Sequence, residues 1–509
     1  NMDSIEDRDL LESISDEVYA LVKRYNGIFW GEHGKGIRGQ YLRDFVGEVA
    51  YQSFLDIKHI LDPGGRFNPG KLVNNSGNLY GIRDTPFRVQ NNSGQLEKAY
   101  SCNGNAACLD YNARNTMCPS FKATLDLKNS PKGRSEILRA WDQAKNEGTE
   151  YEDLEQQAFS SLDKCLGCKA CAGTCPMQVD IPEMKSIFLE SYYSKRSMPG
   201  SARLAIALEK YAPIIQRYQN FLRIFDRKIL RNAFGKFLGL KDLPGLTPPI
   251  SHKNVNRLAT FEEAVAKDWN DKTVFLIQDP FTSLFDANAL SSIAGGLEIL
   301  GYQPKILPLL PAGKAAHTNG ARESFARQAK NVVEQLNIVA KKGVPLVGID
   351  PAFVLMFRGE IKKMGMPQNF ELLLIQEYLC NRINLGDQWP VLDQKADIKV
   401  FLHCTEQSIA KTAAENWQSV FEILGLNAEI AETGCCGMAG MFGHENSHYE
   451  ISRKIFELSW TEAIEDDKIH YATGFSCRCQ TKRFANQEFR HPMNFLTEMK
   501  AKNSEMQSI

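Results

Sequence analysis

Apolar residues recur at helical spacing from the start of the chain. Leu10, Ile14, Val18, Leu21 and Val22 share one face, which predicts an amphipathic helix over 3–26. The apolar run Gly27-Ile-Phe-Trp30 follows and predicts a short strand. A second helix is expected over 41–61, closed by Asp62-Pro63-Gly64-Gly65. Two helices and a strand cannot bury a core of their own, so residues 1–73 are expected to be one piece of a larger domain. Residues 74–99 carry Asn74-Asn-Ser-Gly and Asn91-Asn-Ser-Gly and read as a linker. A helix is expected to start at Ser130-Pro-Lys-Gly-Arg134, inside a mostly helical segment over 100–190.

The later pattern repeats itself. Val274-Phe-Leu and Val400-Phe-Leu each open as a strand, and Leu297-Glu-Ile-Leu-Gly301 and Phe421-Glu-Ile-Leu-Gly425 each end a helix on glycine. This predicts two pseudo-symmetric α/β units, over 256–385 and 386–509. The expected fold class is therefore multidomain, α/β and α.

Charge narrows the function classes. Lys plus Arg number 60 and Asp plus Glu 61, so no overall field favours nucleic acid. No apolar run reaches the roughly 18 residues of a membrane span, and the first residues show no signal-peptide pattern. The connector 191–255 is locally basic, with Arg203, Lys210, Arg217, Arg223, Arg227, Lys228, Arg231 and Lys236 among many apolar residues. Helices of this kind more often pack on their own domain with the basic residues solvated; the alternative expectation is peripheral contact with an anionic membrane, from the cytoplasmic side.

The thirteen cysteines change the picture most. Cys165, Cys168, Cys171 and Cys175, the last followed by Pro176, have the C-x2-C-x2-C-x3-C-P spacing of bacterial ferredoxins. Three thiolates two residues apart can wrap one cluster corner, while the fourth reaches a neighbouring cluster. Zinc needs four ligands and usually draws them from two separated pairs. Upstream, Cys102 and Cys108 take the first and third positions of the same template, and Cys118-Pro119 its last, with Asn105 where the middle cysteine would stand. Exchange of the fourth thiolates assigns Cys165, Cys168, Cys171 and Cys118 to one cluster. It assigns Cys102, Cys108 and Cys175 to the other, one thiolate short, so that site suits a three-iron cluster or a four-iron cluster with a labile iron. At least one [4Fe-4S] cluster is expected, in a reducing compartment.

Gly34-Lys-Gly36-Ile-Arg-Gly39 matches a dinucleotide fingerprint, but no βαβ unit follows it. The surrounding residues resemble another family. Gly31-Glu32-His33-Gly34-Lys-Gly36 and Phe67-Asn68-Pro69-Gly70-Lys71 are similar to the end of FAD-linked oxidases of the vanillyl-alcohol oxidase type. The resemblance implies FAD, with Gly31, Gly34 and Asn68 near the flavin, His33 as the base acting on a hydroxy acid, and Glu32 as a candidate divalent-metal ligand. It also implies that the FAD-binding half of the polypeptide precedes residue 1.

Cys404, Cys435-Cys436-Gly437 and Cys477, with Cys479 nearby, resemble the cysteine-rich CCG domain of heterodisulfide reductase subunits. That implies a third iron or cluster site. The first copy has Pro311-Ala312-Gly313 and Phe353 in the corresponding places, 124 residues earlier. Cys380, in an apolar run, reads as core. In this order the three resemblances are similar to fused FAD- and iron–sulfur-dependent D-2-hydroxy-acid dehydrogenases. The implied substrate is D-2-hydroxyglutarate first and D-lactate second, with a quinone or a protein as electron acceptor and a homo-oligomer as the assembly. The competing expectation is a non-catalytic electron-transfer subunit that docks a separate flavoprotein.

Overall fold

The computed structural model describes residues 5–31, 39–67, 73, 96–250, 257–392, 397–465 and 467–498. Two compact units divide the chain, Asn1–Glu97 and Lys98–Ile509.

In the first unit the helix Ile5–Arg24 forms as the apolar spacing requires. The expected strand does not. Gly27 N–H closes a turn on the Val22 carbonyl (2.9 Å), and residues 27–30 bend away without a strand partner. Phe29 and Trp30 are apolar because they pack: Tyr19, Trp30, Tyr41, Leu42 and Val73 make a small core, with Tyr19 stacked on Tyr41 at 4.5 Å. The expected second helix is also broken. A 3-10 turn at Gly39–Tyr41 leads to Leu42–Val46, and Gly47 then separates it from Glu48–Leu61. Gly47 takes φ 82°, a left-handed angle that glycine adopts without the strain a Cβ brings. Leu10, Leu21, Ile57 and Ile60 are all more than half exposed, so the apolar faces of both long helices lack cover within this unit.

The second unit begins with helices only: Pro119–Thr124, Pro131–Glu147, Glu152–Asp163, Ala170–Thr174 and Ile181–Tyr193. Ser130 caps the second of these by accepting from the Gly133 N–H, with Pro131 in the first turn. Four helices follow, Gly200–Lys210, Ala212–Arg217, Gln219–Phe225 and Lys228–Phe237.

Two parallel sheets complete the unit. β1 (Thr273–Ile277), β2 (Gln303–Ile306), β3 (Leu346–Gly348) and β4 (Leu372–Leu374) lie in the order β2-β1-β3-β4. β5 (Asp397–Phe401), β6 (Asn427–Ile430) and β7 (Ile469–Ala472) lie in the order β6-β5-β7. The middle strands start at Thr273 and Asp397 and their first neighbours at Gln303 and Asn427, each pair 124 residues apart. Structurally, therefore, Val400 matches Leu276 and not Val274; the two Val-Phe-Leu runs are offset by two positions. All five residues of β1 are buried, as a sheet covered by helices on both faces requires.

A buried ion pair ties the helical part to the second sheet. His448 Nε2 lies 2.7 Å from Asp163 and its Nδ1 2.7 Å from Glu445, with the ring stacked on Phe442. Burial opposes its charge, but the two carboxylates outweigh it and push the pKa up to about 9. The resulting stability is complete below the ordinary value of 6.5 and is lost as pH rises through about 9. Half-exposed Asp163 reduces the gain to about 2 kcal/mol. His448→Gln is expected to lower the melting temperature of this unit at pH 6 and to match the parent by pH 10. An equal difference at both pH values would contradict this.

Candidate cysteine-bound redox centres

Two loops of the second unit share one backbone path. In Cys165-Leu-Gly-Cys-Lys-Ala-Cys171, Gly167 and Lys169 take left-handed φ angles of 68° and 61°. In Cys102-Asn-Gly-Asn-Ala-Ala-Cys108 the residues at the same positions, Gly104 and Ala106, take 73° and 60°. Lys169 and Ala106 bear this strain without being glycine, which fits a backbone wrapped around something at its centre. Asn105 occupies the place that Cys168 holds in the other loop.

Cys102, Cys108 and Cys175 line one cavity of about 30 Å3, with Asn105, Cys171 and Pro176. Cys102, Cys108 and Cys175 are only half-buried. Asn105 Oδ1 accepts the Ala107 N–H at 3.1 Å, a local turn that holds the loop where a thiolate would otherwise do so. Cysteine in its place gives up that turn and gains a ligand. Asn105→Cys is therefore expected to suppress the three-iron resonance signal that the air-exposed parent develops. An unchanged signal, or none in the parent, would remove the asparagine from the account.

The second group is deeper. Cys118, Cys165 and Cys171 are buried, and the Cys171 thiol is pushed up by burial and by Cys168. Cys118 precedes its helix in a left-handed conformation at φ 32°, with Pro119 fixing the first turn. Lys122 holds the loop before it, donating to the carbonyls of Asn112 (2.5 Å) and Asn115 (2.9 Å). Arg134 is a fully buried cation of this site, in addition to Lys122. Its guanidinium donates to Ser120 Oγ (2.8 Å) and the Ser161 carbonyl (3.1 Å) and lies 3.4 Å from Cys118 Sγ. Cys165, Cys118 and Cys171 all favour its charge. A buried cation among thiolates offsets their negative charge, one of the ways a protein tunes a cluster. Nothing in the cysteine spacing pointed to Arg134.

Cys404, Cys435, Cys436 and Cys477 form a third group. Each thiol is within hydrogen-bond reach of the next in that order, and all four are buried. Hydrogen bonding to Cys435, then burial, pushes the Cys404 thiol well up. With pKa values raised, the four stand as thiols; as thiolates they would need a compensating positive charge. Cys479 stands outside the string. Cys380 donates to the Asn416 carbonyl at 3.3 Å, as a core thiol does. Cys168 lies close enough to Cys404 to raise its own pKa, and the two share an apolar cluster with Cys435, Leu166 and Phe442. Gly173 permits this approach: a Cβ there would stand 2.5 Å from the Ser408 carbonyl. Among the described residues, no three His, Cys, Asp or Glu side chains are arranged to hold a metal ion.

The stripped copy is filled differently. Gly313 and Gly437, in corresponding places, have nearly the same φ (85° and 87°). Where Gly437 N–H donates to Cys435 Sγ (3.4 Å), Gly313, Lys314 and Ala315 donate to the buried carboxylate of Glu209, at 2.9, 2.8 and 2.6 Å. Glu209 arrives from the helix Gly200–Lys210, about a hundred residues away in sequence, so no local pattern announces it.

In the first unit, Glu32, His33, Gly34 and Asn68 lie outside the described residues. Their flanks are ordered by identifiable contacts. Trp30 and Gly39 are buried on either side of the Gly-Glu-His-Gly segment. Gly31 is exposed at φ 53°, with nothing among the described residues within 4 Å of where a Cβ would stand. Asp62 accepts from the N–H groups of Arg66 and Phe67, both at 2.9 Å, and from Lys58 (2.5 Å), and so sets the turn leading into Asn68. Those bonds, Lys58 first, bring its pKa down to about 2.

Residues 1–72 match the family of FAD linked oxidases, C-terminal domain, and residues 101–180 match the 4Fe-4S dicluster domain. The chain is 34% identical over 548 aligned residues to D-2-hydroxyglutarate dehydrogenase of Escherichia coli K12, covering 96% of this chain and 53% of that protein. The Haemophilus influenzae protein of the same name is 32% identical, with the same coverage. The chain thus spans about half the length of these relatives. It is also 20% identical over 74% of its length to the glycolate oxidase iron-sulfur subunit of E. coli K12, of which it covers 88%.

Proposed function

We propose that this chain is the iron–sulfur-bearing part of a FAD-dependent dehydrogenase that oxidises D-2-hydroxyglutarate to the 2-oxo acid and passes the electrons to an acceptor. The observation that carries the reading is the matched pair of cysteine loops beside a third string of thiols, in a chain 34% identical over 96% of its length to a D-2-hydroxyglutarate dehydrogenase. D-lactate is the second substrate in line. When bound, FAD supplies a hydride acceptor, and the clusters supply single-electron carriers.

The chain's own residues have distinct tasks in this reading. His33, as a neutral imidazole, takes the substrate hydroxyl proton while hydride leaves C2. Glu32 is the candidate ligand for a divalent ion beside it. Gly31, Gly34 and Asn68 border the flavin. Cys118, Cys165, Cys168 and Cys171 hold one cluster, and Cys102, Cys108 and Cys175 the other. Cys404, Cys435, Cys436 and Cys477 hold a third iron or cluster at the exit. The uncovered apolar faces around Leu10, Leu21, Ile57 and Ile60 suit packing against a flavin-binding part of the same polypeptide. No described helix is long and apolar enough to cross a membrane. The basic helices between Gly200 and Phe237 instead suit peripheral contact with the inner membrane face.

The coverage of an iron-sulfur subunit supports the alternative, a carrier that docks a separate flavoprotein. The two separate by experiment. The whole protein is expected to contain both FAD and iron and to reduce an artificial acceptor with D-2-hydroxyglutarate, ahead of a panel of other D-2-hydroxy acids. Iron without flavin, and no activity across the panel, would favour the carrier.

A further inference from the structure

A cavity of about 1300 Å3 opens inside the second unit. Leu204, Leu208, Leu222, Phe225 and Phe234 of the basic helices form one wall, and Cys404 and Cys435 lie on its lining. The lining also carries Asp279, Asp350 and His403, the last directly before Cys404 in the chain. Asp279 and Asp350 follow the adjacent parallel strands β1 and β3 and cap the helices Pro280–Phe285 and Pro351–Arg358. Their carboxyls thus meet at the carboxyl edge of the sheet, where open α/β sheets take their ligands. Asp279 accepts the Thr282 N–H (2.7 Å), and Asp350 accepts those of Ala352 (2.9 Å) and Phe475 (3.1 Å). Burial, then Asp350, pushes the Asp279 carboxyl up, which favours a proton on this pair. His403 Nδ1 accepts the Thr405 N–H at 3.2 Å, which places the ring proton on Nε2.

This combination is chemically specific. The lining is mostly apolar but includes charged side chains such as Glu209, Lys314 and Glu360, and it brings thiols and a pair of carboxyls to the same cavity. The helices that wall the cavity also expose Ile214, Phe221, Ile224, Ile229 and Phe237, each more than half accessible, among Arg217, Arg223, Lys228 and Lys236. Such a surface suits contact with lipid, the phase in which lipophilic oxidants dissolve.

We propose that the cavity binds a lipophilic quinone and that Asp279 donates one of the protons of its reduction. The inference rests on the electron-carrier reading above. The quinone would gain two electrons, one at a time, from the reduced iron–sulfur carriers of the reading above, and two protons; both carbonyl oxygens become hydroxyls. Oxidation of one CH–OH to C=O releases the same two electrons and two protons. Asp279 delivers the first proton and recovers it from solvent, and the second proton comes from solvent directly.

The test uses decylubiquinone and the iron-loaded chain. Equilibrium dialysis is expected to show binding. Leu208→Trp, which fills the cavity from the helix side, should weaken that binding by about tenfold or more. Asp279→Asn preserves the helix cap and should leave binding within about threefold, yet slow reoxidation of the dithionite-reduced chain by decylubiquinone about a hundredfold. Iron content should be unchanged in both variants. Absence of binding to the parent, or parent-like binding and reoxidation in both variants, would overturn the proposal. A parent chain that binds quinone but contains no reducible iron would instead sink the electron-carrier reading, since dialysis reports on the cavity alone.

Discussion

His33→Asn in the whole protein is expected to slow flavin reduction by D-2-hydroxyglutarate by about a hundred- to ten-thousandfold, the usual cost of losing a general base. Asparagine keeps the size and a hydrogen-bonding edge but cannot accept the hydroxyl proton. Its flanks make the variant informative. Buried Trp30 and Gly39 flank the segment on both sides. Iron content and chemical reduction of the clusters should therefore be untouched. Rapid-mixing absorbance of the flavin measures the first half-reaction by itself, and a near-parental rate would remove His33 from the chemistry.

Cys168→Ser should have the opposite profile. Serine is a poor cluster ligand, and Cys168 belongs to the proposed four-thiolate set and lies beside Cys404 and Cys435. The variant should lose about half of the iron bound by the two loops and abolish turnover with any acceptor that draws on the third thiol group. Flavin reduction by substrate should continue at the parental rate. Equal losses in both half-reactions would mean that electrons do not leave the flavin by this route. The close approach at Gly173 adds a control: Gly173→Val would push the loop from the Ser408 carbonyl and should slow the same step while both iron sites remain filled.

The cysteine spacing was the most legible part of this chain, because a cluster dictates both the number of its ligands and the chain length between them. The spacing placed Asn105 opposite Cys168, and the left-handed positions Gly104 and Ala106 now stand opposite Gly167 and Lys169. Periodicity misled where packing and pairing look alike. Gly27–Trp30 is apolar to fill an aromatic core, not to join a sheet, and the break at Gly47 interrupts a pattern that periodicity alone would continue. The two Val-Phe-Leu runs drew attention to a real repeat two residues out of register. Contacts between distant segments left no trace in any local window. Arg134 among the thiols, Glu209 in the stripped copy and the Asp279–Asp350 pair all arise from tertiary folding. Each holds a charge in a place that only the assembled unit creates.

The central claim is that electrons from a 2-hydroxy acid reach iron held by these cysteines. Freeze-quenched electron paramagnetic resonance of the whole protein, mixed anaerobically with D-2-hydroxyglutarate, tests it most directly. Signals of reduced clusters are expected to grow in after flavin reduction, and Cys168→Ser is expected to lack one of them. Clusters that stay oxidised while the flavin is fully reduced would contradict it.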